Sequence, residues 1–268
     1  MTNKKRNTIL VLSGKGGVGK STVSTNLALA LAMNDSKVGL LDADIYGPSI
    51  PTMMGVQEPP TLNDDQKIIP IQSHGIEMMS SGFLVEPDQA LIWRGPMVHK
   101  IVQQFCNDVA WSDLDFLVVD LPPGTGDVQL SISQTISVVG AVVVTTPQKV
   151  ALDDVKRATS MLESLKIPLL GVIENMSGFL NPATNEIVPI FSAGGGEQLA
   201  KDLNCPLFGS IPIDPNVCSA GDQGKPVFIE NPSSPASKMF FKIAQKVVAQ
   251  ISKFNHDKIQ SEVVQTRT

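Results

Sequence analysis

The chain has 268 residues, of which 42% are hydrophobic, and a formal net charge of -5 at neutral pH. Such a length and apolar content suffice for one large α/β domain with a substantial core. The acidic balance does not favour nucleic acid as a partner, and three widely separated cysteines without a CxxC pair argue against a disulfide scaffold.

The N-terminus is basic, and TILVL then leads directly into a glycine-rich loop, without the long apolar region and cleavage site of a secretory signal. The longest nearly apolar run, VVGAVVV at 138–144, is far shorter than the roughly 20 residues that span a bilayer. These features predict a cytoplasmic protein that has no membrane partner.

Short, continuous apolar runs alternate with helical patterns along the chain, which is typical of a mostly parallel sheet covered by helices on both faces. The predicted strands are 9–12, 38–41, 116–119, 141–145, 169–173 and 207–211, and the predicted helices are 21–33, 153–165 and 236–254. We therefore expect a single α/β domain over residues 1–268.

The stretch 46–113 differs from this pattern, because Pro and Gly cluster around a predicted hairpin at 68–80 and a short helix is expected from Met97. No Ser/Gly-rich linker separates the stretch from the rest of the chain, so we interpret it as an insertion within the one domain. The chain is predicted to end in a polar tail at 255–268.

Residues 14–21 read GKGGVGKS and fit the pattern G-x-x-x-x-G-K-[ST], with a predicted strand before them and a predicted helix after them. The backbone N–H groups of such a P-loop form a concave nest, and the helix N-terminus adds partial positive charge, so ATP with Mg²⁺ is the expected ligand. Lys20 should reach the β- and γ-phosphates, Ser21 should bind Mg²⁺ and Thr22 should contact the α-phosphate. The predicted nucleotide contacts here are Gly14, Lys15, Gly16, Gly17, Val18, Gly19, Lys20, Ser21 and Thr22.

The same glycines also spell G-x-G-x-x-G, the fingerprint of a dinucleotide-binding fold, and Asp42 ends the next strand about where a ribose-binding acid would lie. Lys20 and Ser21 favour the NTPase, since the dinucleotide motif does not require them. The segment FLVVDLPPGTGD supports it, because it places Asp120 at the end of a buried strand, where an acid can hold Mg²⁺ through water. In the same segment Gly124 has no side chain to obstruct its N–H, which we expect to face the γ-phosphate.

The sequence KGGVGKST resembles the deviant Walker A motif of the MinD/ParA/Mrp class. In that class the extra lysine, here Lys15, reaches across a dimer interface to the partner's nucleotide and acts much as an arginine finger does. The resemblance also implies that Asp44 orients the attacking water and joins the Mg²⁺ site, that Asn175 contacts adenine, and that Pro212 and Asp214 form the second wall of the base pocket. The predicted catalytic residues are Lys15, Lys20, Asp44 and Asp120, and the predicted Mg²⁺ ligands are Ser21, Asp44 and Asp120, partly through water.

The chain is similar over nearly its whole length to the Mrp branch of this class, the ATP-binding iron–sulfur cluster carriers. The similarity rests on the segments DIYGPSIP, IWRGPM, DLPPGTGD, ENMSGF, GGGEQLA and IPID followed by GKPV. It implies a homodimer that binds and slowly hydrolyses ATP and that transfers iron–sulfur clusters to apoproteins. The implied partners are these apoprotein clients and the cluster assembly machinery.

One position departs from the branch. Many of its members have a C-x-x-C pair after ENMS, whose thiolates from two subunits could hold one [4Fe–4S] cluster, whereas this chain has Asn181 and Thr184 there. Neither side chain supplies a thiolate, and the sequence therefore assigns no cluster ligands.

Two other interpretations stay open: a MinD/ParA-like dimeric ATPase switch, and an ATP-binding scaffold that has no bound cluster. A MinD-type switch that binds membrane would carry an amphipathic basic helix at its C-terminus. The segment MFFKIAQKVVAQISK has apolar residues at helical spacing, but this pattern is more typical of a last helix that packs on the core.

Overall fold

A computed structural model of the chain describes residues 6–33, 35–84, 95–181, 183–184 and 186–265. Within these ranges, nine strands form one sheet. The strands are β1 (Asn7–Leu12), β2 (Val38–Asp42), β3 (Ile71–Ser73), β4 (Ile76–Ser80), β5 (Phe116–Asp120), β6 (Gly140–Thr145), β7 (Leu169–Leu180), β8 (Ile187–Val188) and β9 (Leu207–Ile213).

Helices surround this sheet. They are α1 (Lys20–Ala32), α2 (Ile50–Met53), α3 (Gly95–Asn107), α4 (Asp127–Thr135), α5 (Lys149–Ser164), α6 (Gly195–Asp202), α7 (Pro215–Asp222), α8 (Val227–Glu230) and α9 (Pro235–Gln265), and a 3₁₀ turn lies at Ser81–Phe83.

The strands follow the order β3-β4-β2-β5-β1-β6-β7-β8, and β9 pairs with β7. The pairing is parallel except for β3 on β4 and β8 on β7, which are antiparallel. Because parallel strands all point the same way, the loops that follow β1, β2, β5, β6 and β7 meet at one edge of the sheet. This edge is where a doubly wound fold places its ligand.

The continuous apolar runs arise because both faces of the central strands are covered. In β1, Ile9 and Val11 belong to one core cluster, whereas Leu10 and Leu12 belong to the other. The first cluster includes buried residues of α1 and α9, and the second includes buried residues of α3, α4, α5 and α6. Successive side chains of a strand point to opposite faces, so a strand buried on both sides must be apolar throughout.

The predicted fold class, with a mostly parallel sheet and helices on both faces, is confirmed. All six predicted strands exist, and the predicted hairpin is β3–β4. Helix α3 begins at Gly95 rather than Met97, and α9 extends to Gln265, beyond the predicted end at 254. The first half of the IWRGPM segment, residues 92–94, and the end of the predicted tail, residues 266–268, lie outside the described residues.

The long helix α9 packs against α1 through apolar side chains, as expected for a core-packing helix. In the part of the chain that the structure describes, none of the helices combines the length and the hydropathy that a bilayer span would require.

Truncation of one α9 side chain tests this packing. Phe240 is 1% exposed in the cluster that joins α9 to α1, so Phe240→Ala should lower the free energy of unfolding by about 3–5 kcal/mol. Val248, on the same helix, is 37% exposed, and Val248→Ala should cost well under about 1 kcal/mol. Urea unfolding measures both values, and equal losses would contradict the packing of α9 described here.

Candidate functional site

The predicted site residues from β1, β2 and β5 meet at the carboxyl edge of the sheet. In the register of the parallel strands, Val11 of β1 and Asp42 of β2 both pair with Asp120 of β5. The glycine loop follows β1 directly and leads into α1. The sheet therefore places the two strand-end carboxylates beside the start of α1.

The glycine loop adopts a backbone that side chains would disfavour. Gly17 and Gly19 both have φ of +78°, in the left-handed region that glycine tolerates best. A Cβ at Gly19 would overlap the side-chain amide of Asn175, and a Cβ at Gly14 would overlap the backbone of Asp154 in α5. The glycines thus serve backbone conformation and close approach, as the P-loop pattern requires.

A cavity of about 200 Å³ opens above this loop. Gly19 is the N-cap of α1 and forms no side-chain capping bond, and the first turn of α1 carries no acidic residue. A helix N-terminus without a side-chain cap is a suitable place for a phosphate group. The cavity is lined by Ser13, Lys15, Gly16, Gly17, Val18, Gly19, Lys20, Ser21, Thr22, Asp44, Ser49, Met53 and Pro123.

Asp120 forms the centre of a buried polar network. Lys20 Nζ lies 2.8 Å from Asp120 Oδ2, and Ser21 Oγ donates to the same oxygen at 2.6 Å. The other oxygen, Oδ1, accepts from Ser24 Oγ at 2.6 Å. Asp120 is 0% exposed and Lys20 is 6% exposed, so solvent screens this ion pair only weakly.

Negative charge exceeds positive charge in this network. Lys20 Nζ also lies 3.6 Å from Asp44 Oδ2, and burial raises the pKa of the Asp44 carboxyl, although the Lys20 charge opposes this shift. Burial, together with the Asp120 charge, raises the pKa of Asp42 to about 7. Lys20 thus pairs with two carboxylates, those of Asp44 and Asp120, and Asp42 lies close enough to feel the Asp120 charge. A divalent cation with oxygen ligands would stabilise this excess of negative charge.

The hydrogen-bond partners described for the Asp42 side chain belong to the neighbouring chain segments and hold their conformation. Its side chain accepts from the backbone N–H of Asp44 at 3.2 Å and of Ile50 at 3.2 Å, and from Ser80 Oγ at 2.9 Å. Asp42 therefore orders the loop that carries Asp44 and the start of α2. This role differs from the ribose contact that a dinucleotide fold would need.

Lys15 lies at the rim of the cavity and contacts its own chain. Its Nζ is 3.5 Å from Gln148 Oε1, in the loop before α5. Gln148 Oε1 also accepts from Thr146 Oγ1 at 3.4 Å. Lys15 is half-buried in this conformation, and its predicted contact with a second subunit's nucleotide stays a prediction.

The loop that follows β5 comes close to the glycine loop. Gly124 has φ of +85°, and its N–H donates to Ser13 O at 2.9 Å. The N–H that the sequence assigns to the γ-phosphate is therefore bonded to the chain itself in this conformation.

Asn175 supports the glycine loop. Its Nδ2 donates to the carbonyl of Val18 at 2.9 Å, and the side chain is buried. Ile211 of β9 pairs with Asn175, which places Pro212 and Asp214 at the same edge of the sheet, and Asp214 caps α7 by accepting from Asn216 N at 2.9 Å. The base contacts predicted for these residues stay predictions.

Asn181 and Thr184 lie in the turn between β7 and β8. Both side-chain oxygens accept backbone N–H groups of the turn, from Ala183 and Glu186 respectively. Among the described residues, no group of three or more His, Cys, Asp or Glu side chains is arranged to hold a metal ion. The three cysteines are all free, and burial raises the pKa of both Cys106 and Cys205 to about 11.

Three residues that the sequence analysis did not single out belong to this site. Ser24 holds the second oxygen of Asp120, Gln148 contacts Lys15, and Gln129 bonds to the loop after β5. Ser24 falls one helical turn after Lys20 on the same face of α1, a spacing that could have revealed it. Gln129 is three residues after the N-cap Gly126, a capping-box spacing that could have revealed its bond to Gly126 N–H. Gln148 contacts Lys15 from a distant part of the chain, for which the sequence gives no local signal.

Comparison with known proteins gives three findings. A family model described as NUBPL iron-transfer P-loop NTPase, of the ParA group, matches residues 4–248. The iron-sulfur cluster carrier protein of Deinococcus radiodurans is 50% identical over 248 residues, which cover 92% of this chain and 70% of the relative. A protein of Arabidopsis thaliana named iron-sulfur protein required for NADH dehydrogenase, mitochondrial, is 48% identical over 241 residues, 90% of this chain and 77% of the relative.

Among solved structures, a nucleotide-binding protein from Archaeoglobus fulgidus, in complex with ADP, superposes with a TM-score of 0.75 at 37% identity. The match covers 88% of this chain and 91% of that chain. The likeness thus extends over most of both chains.

Removal of the lysine charge tests the buried network without any nucleotide. Lys20→Met leaves Asp44 and Asp120 without their buried cation, and it should lower the free energy of unfolding by roughly 3–5 kcal/mol. Adding Asp120→Asn removes one of the carboxylates and should restore part of that loss. Urea unfolding of both variants measures the effect, and a single variant as stable as the wild type would contradict the ion pair.

Proposed function

Because the chain belongs to the NUBPL iron-transfer family of ParA-type P-loop NTPases, we propose that it binds and hydrolyses ATP and uses this cycle to carry iron–sulfur clusters to apoproteins. The observation that carries the proposal is the buried network at the start of α1, where Lys20, Ser21 and Asp120 lie within hydrogen-bonding distance beneath an uncapped helix N-terminus.

The ATP site follows from the charges of this network. The N–H groups of the glycine loop and of the first turn of α1 would hold the phosphates. Lys20 would exchange Asp120 for the β- and γ-phosphates, and Thr22 would lie near the α-phosphate. Ser21, Asp44 and Asp120 would hold Mg²⁺, partly through water, and the ion would neutralise charge between the phosphates.

Hydrolysis needs little more than positioning and charge neutralisation. Asp44, which lines the cavity, would orient the attacking water, and Gly124 would present its N–H to the γ-phosphate once this N–H leaves the Ser13 carbonyl. A second copy of the chain would supply Lys15. In the single chain this lysine lines its own cavity and contacts Gln148, and in the dimer it would turn to the partner's nucleotide.

Iron–sulfur clusters are the proposed cargo. The names of relatives at about 50% identity refer to iron–sulfur proteins, and the family model describes iron transfer. The hairpin turn of this chain has Asn181 and Thr184, which are not cluster ligands, and the half-buried thiols of Cys106 and Cys205 are held protonated by burial. Clients or assembly proteins would therefore supply thiolates during transfer.

The same hairpin turn favours a second candidate function, an ATP-dependent dimeric switch that carries no cluster. Asn181 and Thr184 both use their side-chain oxygens to close the turn. In such a switch the ATP cycle would regulate a protein client directly.

Anaerobic incubation with iron and sulfide separates the two functions. If the wild-type chain is a carrier, it should gain visible absorption, alone or with an apoprotein acceptor, and it should activate the acceptor. Asn181→Cys with Thr184→Cys, which installs a thiolate pair in the turn, should load more cluster and hold it longer against a chelator. If neither chain transfers any cluster, the switch function is favoured and the carrier function is wrong.

Two lysine substitutions test the ATP cycle. Lys15→Ala should leave ATP affinity within about twofold and lower turnover by roughly 10³-fold, because a charge supplied in trans acts on the transition state. Lys20→Met should weaken ATP binding by roughly 10- to 100-fold, through loss of a charge-assisted hydrogen bond to phosphate. Fluorescent-nucleotide titration and phosphate release measure these effects on folded protein, and equal losses of affinity in both variants would contradict the separate roles.

A further inference from the structure

One buried side chain holds the loop between β5 and α4. Gln129, which is 2% exposed, donates from Nε2 to the carbonyls of Pro122 at 2.9 Å and Gly124 at 3.1 Å. Its Oε1 accepts the N–H of Gly126 at 2.8 Å. A single amide group thus binds three backbone groups of residues 121–126.

Only one of these three bonds is explained by helix capping. Gly126 is the N-cap of α4 and Gln129 is the third residue of the helix, so the bond from Gly126 N–H to Oε1 is half of a capping box. The two bonds from Nε2 go to carbonyl groups that precede the helix and contribute nothing to its cap. They fix the loop itself.

These two bonds determine the direction of the Gly124 N–H. That N–H belongs to the peptide unit between Pro123 and Gly124. The peptide units on either side of it carry the two carbonyls that Gln129 holds. Gly124 has φ of +85°, and its N–H points at Ser13 O, at the start of the glycine loop.

We propose that Gln129 is a positioning residue for ATP hydrolysis, one that holds the 121–126 loop so that the Gly124 N–H can pass from the Ser13 carbonyl to the terminal phosphate. The inference rests on the ATPase activity proposed above. Gln129 is not among the residues that line the cavity, so we expect the affinity for ADP, which has no γ-phosphate, not to depend on it.

Three variants test this role by separating kcat from KM. Gln129→Met keeps the length of the side chain without its hydrogen bonds, and Gln129→Glu keeps an acceptor for Gly126 N–H but loses both donors. Gln134→Met changes an exposed glutamine of the same helix and serves as the control. Both Gln129 variants should lower kcat by about tenfold or more, with KM and ADP affinity within about twofold of wild type, and the control should match wild type.

Unchanged kcat in Gln129→Met and Gln129→Glu would overturn the proposal, as would a parallel loss of ADP affinity, which indicates general damage. Amide hydrogen exchange gives a readout that does not need turnover. The Gly124 amide should exchange about tenfold or more faster in both Gln129 variants, whereas the Gly126 amide should lose protection only in Gln129→Met.

If the wild-type chain binds ATP and does not hydrolyse it, the proposed ATPase activity is wrong and exchange alone decides about Gln129. Faster exchange at Gly124 in the variants would then support its hold on the loop. Equal exchange rates would overturn it.

Discussion

The site depends on one buried carboxylate, that of Asp120. It is fully buried, and its described partners Lys20, Ser21 and Ser24 all belong to the first turns of α1. A buried charge is tolerated only when it is paired and hydrogen-bonded. Asp120 therefore links the end of β5 to the start of α1, and this link fixes one end of the glycine loop between β1 and α1.

The same link makes the site responsive to a ligand. In this structure Lys20 forms an ion pair with Asp120. In the proposed function Lys20 would bind a phosphate instead, which would leave Asp120 without its cation. Mg²⁺ beside Ser21 would then neutralise the charge of Asp120, so phosphate and metal would stabilise each other's binding. Strand β7 lies beside this site, since Asn175 bonds to the glycine loop and the strand continues to the hairpin turn with Asn181 and Thr184. One strand thus connects the proposed ATP site with the turn where carriers of the Mrp type place their cysteines.

Much of this arrangement could be predicted from the sequence because its signals are local. Continuous apolar runs identified the strands, and the pattern GKGGVGKS identified the loop and its lysine. Contacts between distant elements could not be predicted. The bonds from Gln129 Nε2 to the carbonyls of Pro122 and Gly124, and from Asn175 to Val18, depend on the folded conformation of the loop and the placement of β7, and no residue spacing encodes them. The length of α9 was underestimated because the polar residues after Phe254 have no helical apolar pattern.

The most direct test of the proposed ATP site is a crystal structure with Mg²⁺ and a non-hydrolysable ATP analogue. If ATP binds as proposed, triphosphate density should lie in the cavity above residues 14–22, with Lys20 Nζ moved from Asp120 to a phosphate oxygen and the ion beside Ser21. An ordered analogue bound elsewhere, with the Lys20–Asp120 pair still intact at its present 2.8 Å, would contradict it.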